Sequence, residues 1–141
     1  MRFARIVFTI AGIWGLVVLT PLFFLRDVSG RVYAPPADYP HFFYGFFAVA
    51  MAWQVVFLII GSNPARFRLM MIPAMLEKFP YVVIATILHG QGRITADDAS
   101  TAVPDLILGI LFAVAFVKTR SAAGREPTWQ GGDQNTTLTA S

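Results

Sequence analysis

Four long apolar runs constrain this chain more than any other feature. They are Phe3–Leu25, Phe42–Gly61, Phe67–Leu88 and about Thr101–Val117. A helix that crosses the hydrocarbon of a bilayer needs roughly 20 apolar residues at ~1.5 Å rise each. The first three runs meet that length. The fourth is short and meets it as a tilted helix, with Asp98 or Ser100 as its cap and Pro104 in its first turn, where a missing N–H does no harm. In lipid every backbone N–H and C=O must find its partner within the chain, so spans of this kind are helices. The expected fold is therefore all-α, an integral membrane four-helix bundle over residues 1–120, with helices near 3–25, 42–61, 67–88 and 101–117.

Composition agrees. The chain is 56% hydrophobic and 13% charged, against roughly 25% charged in ordinary soluble domains. There is no cysteine, which excludes disulfides, thiolate catalysis and thiolate metal sites. The first run is longer than the ~7–15 residues of a signal-peptide core, and no small-x-small site closely follows it, so it reads as a retained helix. Residues 121–141 turn charged and then rich in Gly, Thr, Gln and Asn, the composition of a disordered cytoplasmic tail.

The connections set the topology. Arg26–Pro40 carries Pro35-Pro36 and Pro40 among Tyr33, Tyr39 and Phe42–Tyr44, an aromatic-rich stretch expected at the membrane surface. Ser62–Arg66 is a tight turn and His89–Ser100 a polar loop with Asp97-Asp98. Seven basic residues (Arg2, Arg5, Arg66, Arg68, Lys118, Arg120, Arg125) fall on one side of the spans and three (Arg26, Arg31, Arg93) on the other. The excess of basic residues on the cytoplasmic side of membrane proteins then puts both termini inside. It also explains the net charge of +3 without nucleic acid as a partner. The bilayer is the expected partner, with a homodimer or a larger membrane complex beside it.

The chemistry-bearing residues are those in the wrong solvent. Glu77 and Lys78 interrupt the third run, and ionisable groups at bilayer depth persist only when paired or used. Counted from Phe67 and Val117, Glu77 lies ~15 Å into the membrane, Lys78 ~16 Å and Asp105 ~18 Å; Gln54 lies ~10 Å from the Gly61 end of its helix. Neighbouring residues on a helix point ~100° apart, so Glu77 and Lys78 are expected to face different directions. Ala102, Asp105, Gly109 and Ala113 form a small-residue stripe that should face the bundle. The expected pairing is Lys78 with Asp105, leaving Glu77 for Gln54, Trp53 or Tyr81. Pro73 and Pro80 free carbonyls that could also receive Lys78. Gly12 and Gly15 read as close-packing positions. Met70, Met71 and Met75 read as adaptable lining. His41 and His89 are weak metal candidates without a recognised ligand spacing. No cofactor is expected, and no nucleophile, base and oxyanion site assembles, so an enzyme is disfavoured.

The segments Pro40-His-Phe-Phe-Tyr-Gly-Phe-Phe, Ala52-Trp-Gln, Asn63-Pro-Ala-Arg-Phe-Arg, Pro73-Ala-Met-Leu-Glu-Lys and Asp105-Leu-Ile-Leu-Gly together resemble small bacterial inner-membrane proteins with four helices, of the DoxX-like kind. That resemblance implies a multi-pass bundle in a bacterial inner membrane and carries no catalytic residues. Three functions are compatible with these residues. One is a bundle that binds a small apolar or cationic molecule, of lipid or quinone class, on a buried polar layer. The others are an accessory subunit of a membrane complex and a dimeric proton-coupled small transporter.

Overall fold

A computed structural model describes residues 1–24 and 40–123 and shows an all-helical chain. Helix α1 spans Arg2–Phe24 and α2 Pro40–Ser62. A 3₁₀ turn, Arg68–Met70, leads into α3, Met71–Gly90. A short helix α4, Ala96–Ser100, precedes α5, Val103–Ala123. Four segments are long and apolar enough to cross a membrane: Arg2–Phe24, His41–Ser62, Arg68–Gly90 and Ala96–Arg120. The expected surface loop and residues 124–141 lie outside the described residues.

The element ends have local causes. Asn63 Oδ1 accepts from the Arg66 N–H at 3.2 Å and the Asn63 carbonyl accepts from the Phe67 N–H at 3.1 Å, which closes the tight turn. The α-helix begins four residues later than its apolar run, because 3₁₀ winding intervenes. At the other end Thr95 is the N-cap of the short helix α4, which precedes the expected start of the fourth helix, and Asp98 is its N3 partner. The Thr95 hydroxyl accepts from the Asp98 N–H at 3.1 Å, and Asp98 Oδ2 accepts from the Thr95 N–H at 3.3 Å, a reciprocal capping box. Pro104 falls in the first turn of α5, as expected, and α5 runs three residues past the anticipated start of the tail.

The helices pack up-down-up-down. Arg5 reaches Ser62 while Gly15 meets Gln54, so α1 and α2 run antiparallel; Met71 meets Thr119 while Tyr81 meets Thr101, so α3 and α5 do too. Helix α1 packs most closely on α2, α3 on α5, and α1 also on α5, whereas α2 and α3 touch little despite their short connection. The α1–α2 seam depends on glycine. A Cβ at Gly12 would stand 2.8 Å from the Gln54 carbonyl oxygen, and one at Gly15 would overlap the Gln54 amide. A Cβ at Gly61 would stand 2.6 Å from Thr9 Oγ1. Small residues here let two backbones approach, the source of helix affinity where no water drives association.

The core sits in one half of the bundle. Phe8, Phe57 and Phe112 are fully buried at its centre, with Phe8 and Phe112 stacked at 4.2 Å and Phe57 set at 65° to Phe112, 4.9 Å away. Ala4, Val7, Ala11, Ile60, Met71, Ala74 and Ala115 complete one cluster. All belong to the end that holds the N-terminus, the 63–67 turn and the end of α5. Of the three methionines read as lining, Met71 is buried in this core and Met75 packs against it, but Met70 is exposed. In the opposite half the buried side chains outside that cluster are Phe43, Phe47, Ala85 and Ala102. The outward faces carry Ile6, Ile10, Ile13, Val17, Leu76, Val83, Ile84, Ile107 and Ile110, an extensive apolar exterior.

The core end is ringed with cations. Arg5 donates to the Ser62 carbonyl at 3.2 Å. The Arg68 guanidinium lies 4.0 Å over the Phe116 ring and the Lys118 ammonium 4.6 Å over Phe3.

Candidate functional site

Lys78 stands on the inner stripe of α3 with Met71, Ala74 and Ala85. Its side chain is 7% exposed. Its ammonium lies 2.8 Å from Asp105 Oδ1 on α5, the pairing expected from depth counting. The small-residue stripe explains why α5 can deliver that carboxylate: Ala102 is buried, and Gly109 lets the Phe79 ring approach to 3.0 Å of where a Cβ would be.

Glu77 corrects the expectation. The same ammonium lies 3.0 Å from Glu77 Oε2 and donates to Oε1 at 3.3 Å. The two side chains leave the helix in different directions, but a four-carbon stem and a two-carbon stem are long enough to bring the charged ends together. Glu77 thus pairs with Lys78 rather than with Gln54, Trp53 or Tyr81, and Lys78 takes carboxylates rather than proline-freed carbonyls. Glu77 Oε2 is close enough to attract the ammonium, yet its angle provides no hydrogen bond, and the atom is buried. Lys78 Nζ also stands 5.6 Å from the Phe57 ring centre, so the cation rests on the rim of the aromatic core.

The other expected members are placed elsewhere. Gln54 is buried, but its amide donates to the Ala50 carbonyl of its own helix at 3.1 Å and fills the notch at Gly15. It belongs to the α1–α2 seam. Trp53 packs on Phe57 at 6.2 Å. Tyr81, one turn beyond Glu77, shares a 2.8 Å hydrogen bond with Thr101 Oγ1, and Thr101 donates to the Asp98 carbonyl at 2.6 Å. Thr101 escaped the sequence reading, although its place four residues before Asp105 put it on the same face of the run. His89 Nδ1 lies 3.3 Å from the Ile94 carbonyl, and the His41 ring packs on Phe42. Among the described residues no three His, Cys, Asp or Glu side chains gather as a metal site would require.

The site is thus a trio, not a four-part layer. One ammonium is shared by two carboxylates whose side chains remain 20% and 25% exposed. With all three groups ionised its formal charge is −1. A carboxylate has about four acceptor positions, and Lys78 engages few of those that Glu77 and Asp105 offer together. The arrangement can accept hydrogen bonds and attract a second cation. No protein-family model, no curated protein and no solved structure matches this chain.

Proposed function

We propose that this chain is a multi-pass protein of the cell membrane, a bacterial inner membrane on the resemblance given above, with both termini cytoplasmic. Its function is to bind a small organic cation at Glu77, Lys78 and Asp105. The observation that carries this reading is the surplus acid. A register-fixing ion pair needs one carboxylate for Lys78, and Asp105 supplies it at 2.8 Å. A second acid at the same ammonium adds a charge whose burial at bilayer depth costs ~2.5–3.5 kcal/mol on insertion scales. A bound cation offsets that cost, and a carboxylate with spare acceptor positions orients it. Lipid- or quinone-class ligands fit less well, because the Lys78 donors are already directed at two acids.

The test is binding of tetraphenylphosphonium to the purified protein in mild detergent, followed by tryptophan fluorescence. Saturable binding should weaken at least tenfold in Glu77→Gln, with the protein still monodisperse. Absence of saturable binding, or equal affinity in the variant, would refute the reading. An accessory-subunit role has one supporting observation: the two carboxylates keep 20% and 25% exposure, so the Lys or Arg of a partner helix could take the place of the free cation. Co-purification of a second chain, lost in Glu77→Gln, would favour it.

A further inference from the structure

We infer that the trio is entered from one side only, the end of the bundle that carries Asp97 and Asp98, and that this end selects for cations. The inference rests on reading the trio as a binding site and adds the route to it.

The asymmetry of packing is the first ground. Every residue of the main core cluster lies between the trio and the basic end: 4–11 on α1, 57–60 on α2, 71–74 on α3 and 112–115 on α5. Phe8, Phe57, Phe112, Met71, Ala74 and Ala115 are all at 0–1% exposure, and this plug is ~10 Å deep from Lys78 to Met71. Thr119, fully buried beyond it, turns its hydroxyl back onto the Ala115 and Phe116 carbonyls at 2.9 Å. Thr119 apart, the buried residues along that course are apolar, and the unpartnered Arg68 Nε at its basic end is a donor that offers nothing to a cation.

The other direction differs. Between the trio and the Asp97–Asp98 end, the α3–α5 seam carries the Tyr81–Thr101 hydroxyl pair one turn above Asp105, then the Asp98 carbonyl and the capping box with Thr95. Tyr81 is 44% exposed, and Thr101 is exposed. Polar groups thus succeed one another at about one-turn intervals from the surface to the trio, and the Tyr81 face offers an aromatic surface to a cation.

Charge acts in the same sense. Among the described residues the basic end carries Arg2, Arg5, Arg66, Arg68, Lys118 and Arg120 with no acid, which repels cations. Among the described residues the opposite end carries Asp97 and Asp98, the latter in the capping box, against Arg93, with His89 nearby. Together with the trio, the seam is acidic from mouth to floor.

The absence of cysteine makes the test direct, because each variant holds a single thiol. Sealed vesicles of each orientation are treated with a membrane-impermeant trimethylammonium methanethiosulfonate. Arg93→Cys marks one face and Arg66→Cys the other. Thr101→Cys and Glu77→Cys should label only from the Arg93 face, and Thr119→Cys from neither. At Tyr81→Cys, which leaves the Glu77, Lys78 and Asp105 charges in place, the ratio of the cationic reagent's rate to that of its sulfonate analogue should exceed the same ratio for a free thiol in solution at least tenfold. If Glu77→Cys does not fold, Tyr81→Cys also reports the side of entry, one turn higher. Labelling of the trio position from the Arg66 face or from neither face, or a rate ratio at Tyr81→Cys no higher than that of the free thiol, would overturn the inference. So would labelling of Thr119→Cys from the Arg66 face. Labelling needs no bound ligand, so one-sided access and cation binding can fail separately.

Discussion

Replacing Lys78 with Met tests whether the trio is held by charge. Methionine keeps an unbranched apolar stem of similar length, so the core rim at Phe57 stays covered while the ammonium is lost. The ammonium lies 2.8 Å from Asp105 and 3.0 Å from Glu77. At an effective dielectric of about 20, each pair attracts by ~5–6 kcal/mol before the cost of desolvating the charges is counted. After that cost, removing one partner of a buried pair destabilises by about 3–5 kcal/mol. The two acids retain 20% and 25% of their exposure, which relieves part of the burden, so the expected loss is ~3 kcal/mol. That is about a hundredfold in the unfolding equilibrium. Reversible unfolding in mixed micelles with increasing dodecyl sulfate, read by tryptophan fluorescence, measures it. Glu77→Gln should cost under ~1 kcal/mol in the same assay, because Lys78 keeps Asp105. The double change Lys78→Met with Asp105→Leu should cost less than the sum of its parts. A loss below ~0.5 kcal/mol for Lys78→Met, or strict additivity in the double variant, would refute the account of the pair.

Three further outcomes are expected. Gly12→Ala should destabilise by ~1–3 kcal/mol, because its Cβ would meet a backbone carbonyl that cannot step aside, whereas Gly45→Ala, with nothing within 4 Å, should be neutral or stabilise by up to ~1 kcal/mol in the same unfolding assay. Tyr81→Phe should cost ~0.5–1.5 kcal/mol through loss of its 2.8 Å bond to Thr101 while leaving cation affinity within threefold, as a titration of the variant would show. A phosphatase fused after Ser141 should be inactive and one fused in the loop at Arg93 active, since the proposed topology puts the first in the cytoplasm and the second outside.

The four helices were legible in the sequence because a run of apolar side chains can satisfy its backbone in lipid only by coiling, whatever its neighbours do. The Lys78–Asp105 pair was legible too, since rise per residue fixes depth and a small-residue stripe marks the face turned to the bundle. Gly12 and Gly15 were legible as close-packing positions for the same reason, that only a missing Cβ lets two backbones meet. Glu77 was misread because helical phase describes where a side chain begins, and long flexible stems end elsewhere. Gln54 was misread because depth says nothing about the order of helices around a bundle. Contacts across the bundle put α1 between α2 and α5, which assigns Gln54 to the Gly15 seam and Glu77 to the α3–α5 seam. Hydropathy along the chain thus determined which helices are long and apolar enough to cross a membrane, and helical rise the level of each charge along them. Only the packing of helix on helix decided which charges meet, and that the core fills one half of the bundle.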